Sequence, residues 1–188
     1  MKRLPTAVLA DIREDMTLLL AEGGPADDVA RQLVRWYRRH LNLTSARRRV
    51  ARAVAAQRRE QTSWPAVTDC DRLDAAFAAL EAAGVLARHS YMGCSADGHA
   101  ELYREAVAAR ETGERVRGYV FYHFQCFEAA VKGHVLYLAF AAVPSGKAAD
   151  KRVAGRIVAA LAAAGLKPAW DGDPYRSVFV PLIWQRRR

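Results

Sequence analysis

Two cysteine–histidine pairs in the middle of the chain have the residue types that metal chemistry needs. Cys94 and His99 are five residues apart in MGCSADGHA, and His123 and Cys126 are three apart at the end of an apolar run. Zinc takes four such nitrogen and sulfur ligands, and folding could bring the two pairs together as a Cys₂His₂ set. We expect no metal, because a loop cysteine and a histidine at the end of a strand are ordinary residues, and we keep this set as an alternative.

The same residues could support nucleophilic catalysis. A thiolate at Cys94 beside His99 or His123 would need a carboxylate to orient the imidazole, and Glu101 and Glu128 are the candidates. No known nucleophile signature surrounds the cysteine, and the chain has neither a dinucleotide-binding glycine motif nor a P-loop. We therefore favour a protein that is not an enzyme and needs no cofactor, with a metal- or thiol-dependent enzyme as an alternative.

A run of arginines from Arg31 to Arg59 is the other chemically distinctive feature. The interval up to Glu60 holds ten arginines and a single acid, which accounts for the whole net charge of +9. A helix with this charge would neutralise several phosphates and bind nucleic acid in a salt-dependent way. The arginines expected at the phosphates are Arg47, Arg48, Arg49, Arg52, Arg58 and Arg59. We favour a solvated helix face, because only Gln57 and Gln61 could read base edges, and we keep nucleic-acid binding as the alternative.

Periodic apolar positions predict three helices before residue 63. They are expected at about 6–22, 25–41 and 46–60. The second and third helices, with a four-residue turn between them, have the proportions of a helix-turn-helix. We therefore predict that residues 1–62 form a basic helical extension.

Composition changes at residue 63, after which apolar runs alternate with helical patterns. Tyr119–Phe124 and Val135–Val143 predict buried strands joined by a short polar link. Thr68 and Asp71 form a capping-box pattern at the start of a helix that Gly84 ends. The other elements expected are strands at 85–91, 167–171 and 177–184 and helices at about 99–111 and 148–164. This order predicts an α+β fold for residues 63–188, a ferredoxin-like split β-α-β sandwich with four to five strands.

Several motifs of this second domain occur together in a known family. They are TDCDRLDAAFAALEAAG, GYVFYHFQ, LYLAF, AGLKPAWDG and LIWQRRR, in this order over about Trp64–Arg188. Together they resemble an uncharacterised bacterial family, common in actinomycetes, that carries a domain-of-unknown-function label. The resemblance implies a cysteine-rich loop at Cys94–His99, but Gly93 and Asp97 stand where other cysteines are expected, which argues against a metal in this chain. It implies no activity.

Composition also bears on location and partners. No apolar run is long enough to cross a membrane, Asp11 and the acids after it interrupt the N-terminal apolar stretch, and three widely spaced cysteines form no disulfide framework. These features predict a cytoplasmic protein. We expect a binding or adaptor protein that holds a protein partner through its sheet face or its helical arm, with nucleic-acid association through the Arg31–Arg59 helices as the alternative. The alanine-rich stripe of the third helix would also suit a homodimer.

Overall fold

The computed structural model describes residues 5–187, which form an α+β protein with seven helices and a four-stranded mixed sheet. The chain divides into two units: a helical unit of the described residues up to Ala66 together with those from Gln185 onward, and a sheet unit of Val67–Trp184. Residues 1–4, where the first predicted domain begins, and Arg188, where the second ends, lie outside the described residues. In the described part of the chain, no helix has both the length and the apolar character that a membrane span requires.

The helical unit contains three helices close to their predicted positions. They are α1 (Thr6–Ala21), α2 (Ala26–Trp36) and α3 (Leu43–Gln61). The third helix begins earlier than predicted because the Asn42 side chain accepts a hydrogen bond from the Ser45 N–H at 2.9 Å and so caps it. The apolar faces of the helices share a buried core of Ile12, Leu20, Val29, Ala30, Leu33, Leu41, Ala46 and Val50.

The sheet unit has four strands in the order β1-β2-β3-β4. They are β1 (Val85–Arg88), β2 (Gly118–Phe121), β3 (Leu136–Ala142) and β4 (Val178–Val180). The first pair is parallel, and the other two pairs are antiparallel. This order differs from the predicted split β-α-β arrangement, because β1 and β2 pair directly with no strand between them. The strand predicted at 167–171 reduces to a single bridge between Ala169 and Phe179.

The predicted polar link between the two central strands is a helix, α6 (Phe124–Val131). The aromatic run Tyr119–Phe124 leaves the sheet at Phe121, and its last residue opens the helix. Phe127 and Ala130, three residues apart, are the buried positions of this short helix. Eight residues give too few turns for a periodic pattern to be read from the sequence, which is why the helix was missed.

Three longer helices cover the sheet: α4 (Asp69–Ala82), α5 (Ser95–Glu111) and α7 (Lys147–Ala163). A Cβ at Gly98 of α5 would lie 2.2 Å from the Phe121 ring, and a Cβ at Gly118 would lie 2.9 Å from Val153 of α7. Since Gly118 and Phe121 point to opposite faces of β2, α5 covers one face of the sheet and α7 covers the other. The α4 helix packs beside α7.

The predicted capping box at the start of α4 is confirmed. The Asp71 N–H donates to the Thr68 hydroxyl at 3.2 Å, and the Asp71 carboxylate accepts from the Thr68 N–H at 2.8 Å. The helix ends as predicted at Gly84, which has a φ of +77° and passes close to the backbone of Arg115.

We predict opposite effects from two glycine-to-alanine substitutions. Gly84→Ala should lower the free energy of unfolding by about 2 kcal/mol or more, because the left-handed conformation disfavours a side chain and a Cβ would lie 2.2 Å from the Arg115 carbonyl oxygen. Gly155→Ala, at an exposed position of α7 with no atom within 4 Å of the added Cβ, should raise it by about 0.5–1 kcal/mol. Urea denaturation measures both, and equal effects would contradict the close approach at Gly84.

Candidate functional site

The histidines and cysteines singled out in the sequence lie beside the carboxyl ends of the parallel strands. Cys94 is the residue that precedes α5, and His99 is in the second turn of that helix. His123 precedes α6, and Cys126 is in its first turn. The carboxyl ends of parallel strands form one edge of a sheet, where ligands of α/β proteins commonly bind. The backbone between β1 and α5 is strained there, since Ser90 and Met92 both have a positive φ, of 44° and 61°.

Cys94 and His99 do not act together. The Cys94 thiol donates to the Asp97 carboxylate at 3.2 Å, within the first turn of α5. The His99 Nδ1 is 3.0 Å from the hydroxyl of buried Tyr119. Burial lowers the pKa of His99, so the imidazole is neutral near neutral pH.

His123 and Cys126 do contact each other, with Nε2 of the imidazole 3.2 Å from the sulfur. Burial raises the pKa of the Cys126 thiol and lowers that of the His123 imidazole, so both groups are uncharged near neutral pH. A protonated thiol is a poor nucleophile. Glu128, which was expected to orient an imidazole, forms an ion pair with Lys132 at 2.7 Å. The geometry therefore favours a structural contact over a catalytic pair.

The four candidate metal ligands are thus divided between separate contacts. Within residues 5–187, no three histidine, cysteine, aspartate or glutamate side chains are grouped closely enough to hold a metal ion. Cys94 and His99 bind different neighbours, whereas His123 and Cys126 offer one nitrogen and one sulfur. Two ligands fall short of the four that a structural zinc site requires.

His99 does line a polar cavity of about 300 Å³ beside β3. The pairing of β3 with β4 stops at Leu138, and the cavity lies along the next residues of β3. Burial and the negative charge of Asp150 raise the pKa of the neighbouring Tyr119 to about 12. The buried Asp150 carboxylate accepts from the Ala142 N–H at 2.7 Å and caps the free edge of the strand. The cavity lining thus combines one carboxylate, Asp150, and one guanidinium, Arg176, with the imidazole of His99.

A second cavity lies where β2 begins and β3 ends. This edge of the sheet is opposite the one formed by the carboxyl ends of β1 and β2. It is a groove of about 580 Å³ that we call the arginine groove. One carboxylate, Glu114, lines it, together with five arginines: Arg110, Arg115, Arg117, Arg152 and Arg156. Except for Arg110, whose bonds are to backbone carbonyls, these arginines have no hydrogen-bond or ion-pair partner for their side chains among residues 5–187. Four guanidinium groups are therefore free to bind an anion.

Regular structure places each of these arginines. Arg115 and Arg117 flank buried Val116 in the extended segment before β2, so both side chains point away from the core. Arg152 and Arg156 are four residues apart and share one face of α7. Hydrogen bonds fix the backbone of the extended segment on both sides: the Arg117 N–H donates to the Gly84 carbonyl, and the Arg117 carbonyl accepts from the Val143 N–H.

Arg110 is held more tightly than the other four. One of its terminal nitrogens, Nη1, donates to the Val116 carbonyl at 3.1 Å and also to the Val143 carbonyl. These bonds connect the end of α5 to β3 and fix the guanidinium at the side of the groove.

Sequence reasoning missed the arginine groove. The alternation in Arg115-Val116-Arg117 and the four-residue spacing of Arg152 and Arg156 were visible signals. These signals were hidden because the acidic residues of the sheet unit balance its basic residues, so the net charge of the unit shows no excess. Only folding separates these arginines from the acids.

The arginines of the helical unit are partly neutralised. Arg31 and Arg47 both pair with Asp27, at 2.8 and 2.6 Å. The Arg31 pair lies within α2, whereas the Arg47 pair joins α3 to α2. Of the other predicted phosphate ligands, Arg48, Arg52, Arg58 and Arg59 are exposed and Arg49 is half-buried. The helical spacing of Arg48, Arg52 and Arg59 puts them on the face of α3 opposite its buried residues, Ala46 and Val50.

We predict that His99 makes stability depend on pH. Because its pKa is lower when folded, the unfolded chain binds a proton first, and stability should fall as pH drops from about 7.5 through the ordinary imidazole pKa of about 6.5. His99→Gln should flatten this dependence, measured as the unfolding free energy at several pH values. His134→Gln, at an exposed histidine, is the control, and equal slopes for all three proteins would contradict the prediction.

Comparison with known proteins identifies a family but no activity. No curated protein and no solved structure matches the chain. A family model described as Domain of unknown function (DUF6891) matches residues 5–188, which confirms the resemblance seen in the motifs and extends it into the helical unit. The chain therefore belongs to the family Domain of unknown function (DUF6891).

Proposed function

We propose that this protein binds nucleic acid through the arginine groove. The observation that supports this proposal is the convergence of five arginines and one carboxylate on a single concave surface of about 580 Å³. A phosphodiester is one anion that matches a guanidinium, because its two non-bridging oxygens accept two parallel hydrogen bonds from it.

The charges in the groove favour a bound anion. Like charges in one groove repel one another, and the groove walls concentrate the resulting positive potential. Solvent and salt screen this repulsion at the exposed arginines, so its cost to folding is small. A phosphate backbone would relieve the repulsion and release its own counterions, which is the main source of affinity in nucleic-acid binding.

The helical unit offers a second basic surface. Arg48, Arg52 and Arg59 form an exposed stripe on α3 with no carboxylate partner in the described part of the chain. This stripe agrees with the nucleic-acid role that the sequence suggested as an alternative. The protein partner that we expected first stays a prediction, because α5 and α7 cover the two faces of the sheet that was expected to hold it.

We predict that the paired substitution Arg152→Gln/Arg156→Gln will weaken binding to a labelled oligonucleotide by about tenfold or more at moderate salt. The plot of log affinity against log salt should become shallower by about 1 for each phosphate that the variant no longer neutralises. Fluorescence anisotropy over a salt series measures both quantities. The melting temperature should stay the same or rise, because the substitution removes two unpaired like charges.

Two further variants decide where binding occurs. Lys147→Gln/Lys151→Gln removes the same charge from α7 at exposed positions outside the groove and should change affinity by less than the arginine pair does. Arg48→Gln/Arg52→Gln/Arg59→Gln tests the α3 stripe. Loss of binding in the α3 variant, with full binding in the Arg152/Arg156 variant, would overturn the assignment to the groove.

A further inference from the structure

The arginine groove continues into a second, less polar cavity. This neighbouring cavity has a volume of about 310 Å³, and we call it the tyrosine shelf. Its lining residues are Tyr103, Val107, Arg110, Glu111, Val143 and Pro144, of which Arg110, Val143 and Pro144 also line the groove. The two cavities therefore form one continuous surface, with Arg110 at their junction.

Tyr103 presents an accessible aromatic ring on the shelf. Tyr103 is 42% exposed, whereas Leu102 beside it in the chain is fully buried. Tyr137 is exposed to the same extent, but its ring packs against Phe179 at 5.1 Å, whereas no ring within residues 5–187 stacks on Tyr103. The Tyr103 ring is therefore partly accessible to solvent and is not already stacked on another ring of the described residues.

One helix sets the order of the groups on this surface. Tyr103, Val107 and Arg110 are separated by four and three residues, so they lie on one face of α5. The Cα atoms of Tyr103 and Arg110 are about 10 Å apart along the helix axis. Arg110 is fixed by its bonds to the Val116 and Val143 carbonyls, so this spacing is built into the fold.

An aromatic ring next to a basic groove is the arrangement that binds single strands. Unpaired bases stack on aromatic side chains while the backbone follows the positive charge, and the stacking is tolerant of sequence. A duplex keeps its bases stacked within the helix, so its bases could not reach a shelf beside the phosphates. Polyphosphate or another polyanion without bases would use the arginines alone.

We infer that the ligand of the groove is a single-stranded nucleic acid, with one unpaired base stacked on Tyr103 and the neighbouring phosphates on the arginines. This inference rests on the proposed function and adds the class of nucleic acid and the residue that selects it. Val107 and Pro144 supply the apolar sides of the base site. Glu111 is the carboxylate that lines the shelf, and it does not line the arginine groove.

The test compares two substitutions at Tyr103 against three ligands: a single-stranded oligonucleotide, its duplex and inorganic polyphosphate. Tyr103→Leu should lower affinity for the single strand by about 5- to 100-fold, because a base can no longer stack on an aromatic ring there. Tyr103→Phe keeps the ring and should bind as the wild type does. Neither variant should change affinity for the duplex or for polyphosphate. Tyr175→Leu, at an exposed tyrosine outside the shelf, is the matched control.

The outcomes separate the inference from the proposed function. Equal losses for the single strand and for polyphosphate in Tyr103→Leu would show that the shelf does not hold a base and would overturn the inference. Unchanged affinity for the single strand in that variant would also overturn it, while a large loss in the Arg152/Arg156 variant would leave the groove assignment intact. A wild-type protein that binds none of the three ligands would overturn both.

Discussion

The extended segment at Arg115–Arg117 is the constraint on which the rest of the sheet unit depends. The Arg117 N–H donates to the Gly84 carbonyl at 2.7 Å, and the Arg117 carbonyl accepts from the Val143 N–H at 3.0 Å. These two bonds set the register of β2 against β1 on one side and against β3 on the other. The close approach requires a residue without a side chain at Gly84. The same segment carries two arginines of the groove, so the geometry of the sheet is also the geometry of the candidate site.

The two edges of the sheet differ in how their polar groups are used. At the carboxyl ends of β1 and β2, the histidines and cysteines are mostly satisfied by neighbours: His99 by Tyr119, Cys94 by Asp97, and Cys126 by His123. At the opposite edge, four arginine side chains have no hydrogen-bond or ion-pair partner within the described residues. Hydrogen bonds between neighbouring side chains stabilise the fold, whereas unpaired like charges do not stabilise it until they bind a ligand. The edge that carries the arginine groove is therefore the better candidate for function.

The arginines of this protein fall into two groups, those whose side chains bond within the fold and those whose side chains do not. Arg47 connects α3 to α2 through Asp27, and Arg110 connects α5 to the extended segment before β2 through a backbone carbonyl. The exposed arginines of the groove and of the α3 stripe have no such structural bond in residues 5–187. Even a paired charge at the surface adds little stability, so we expect replacement of an unpaired arginine side chain to have little effect on folding. Binding can then be measured separately from stability.

The sequence by itself determined the local elements and the family. Most of the helices, the capping box at Thr68 and the stop at Gly84 followed from apolar spacing, capping chemistry and glycine, which act between near neighbours in the chain. Only the tertiary structure decided the strand order, the short helix at Phe124–Val131 and the groove that gathers arginines 110, 115, 117, 152 and 156. Periodicity records whether a side chain is buried but not which distant strand or charge lies beside it, because that choice depends on packing of the whole chain.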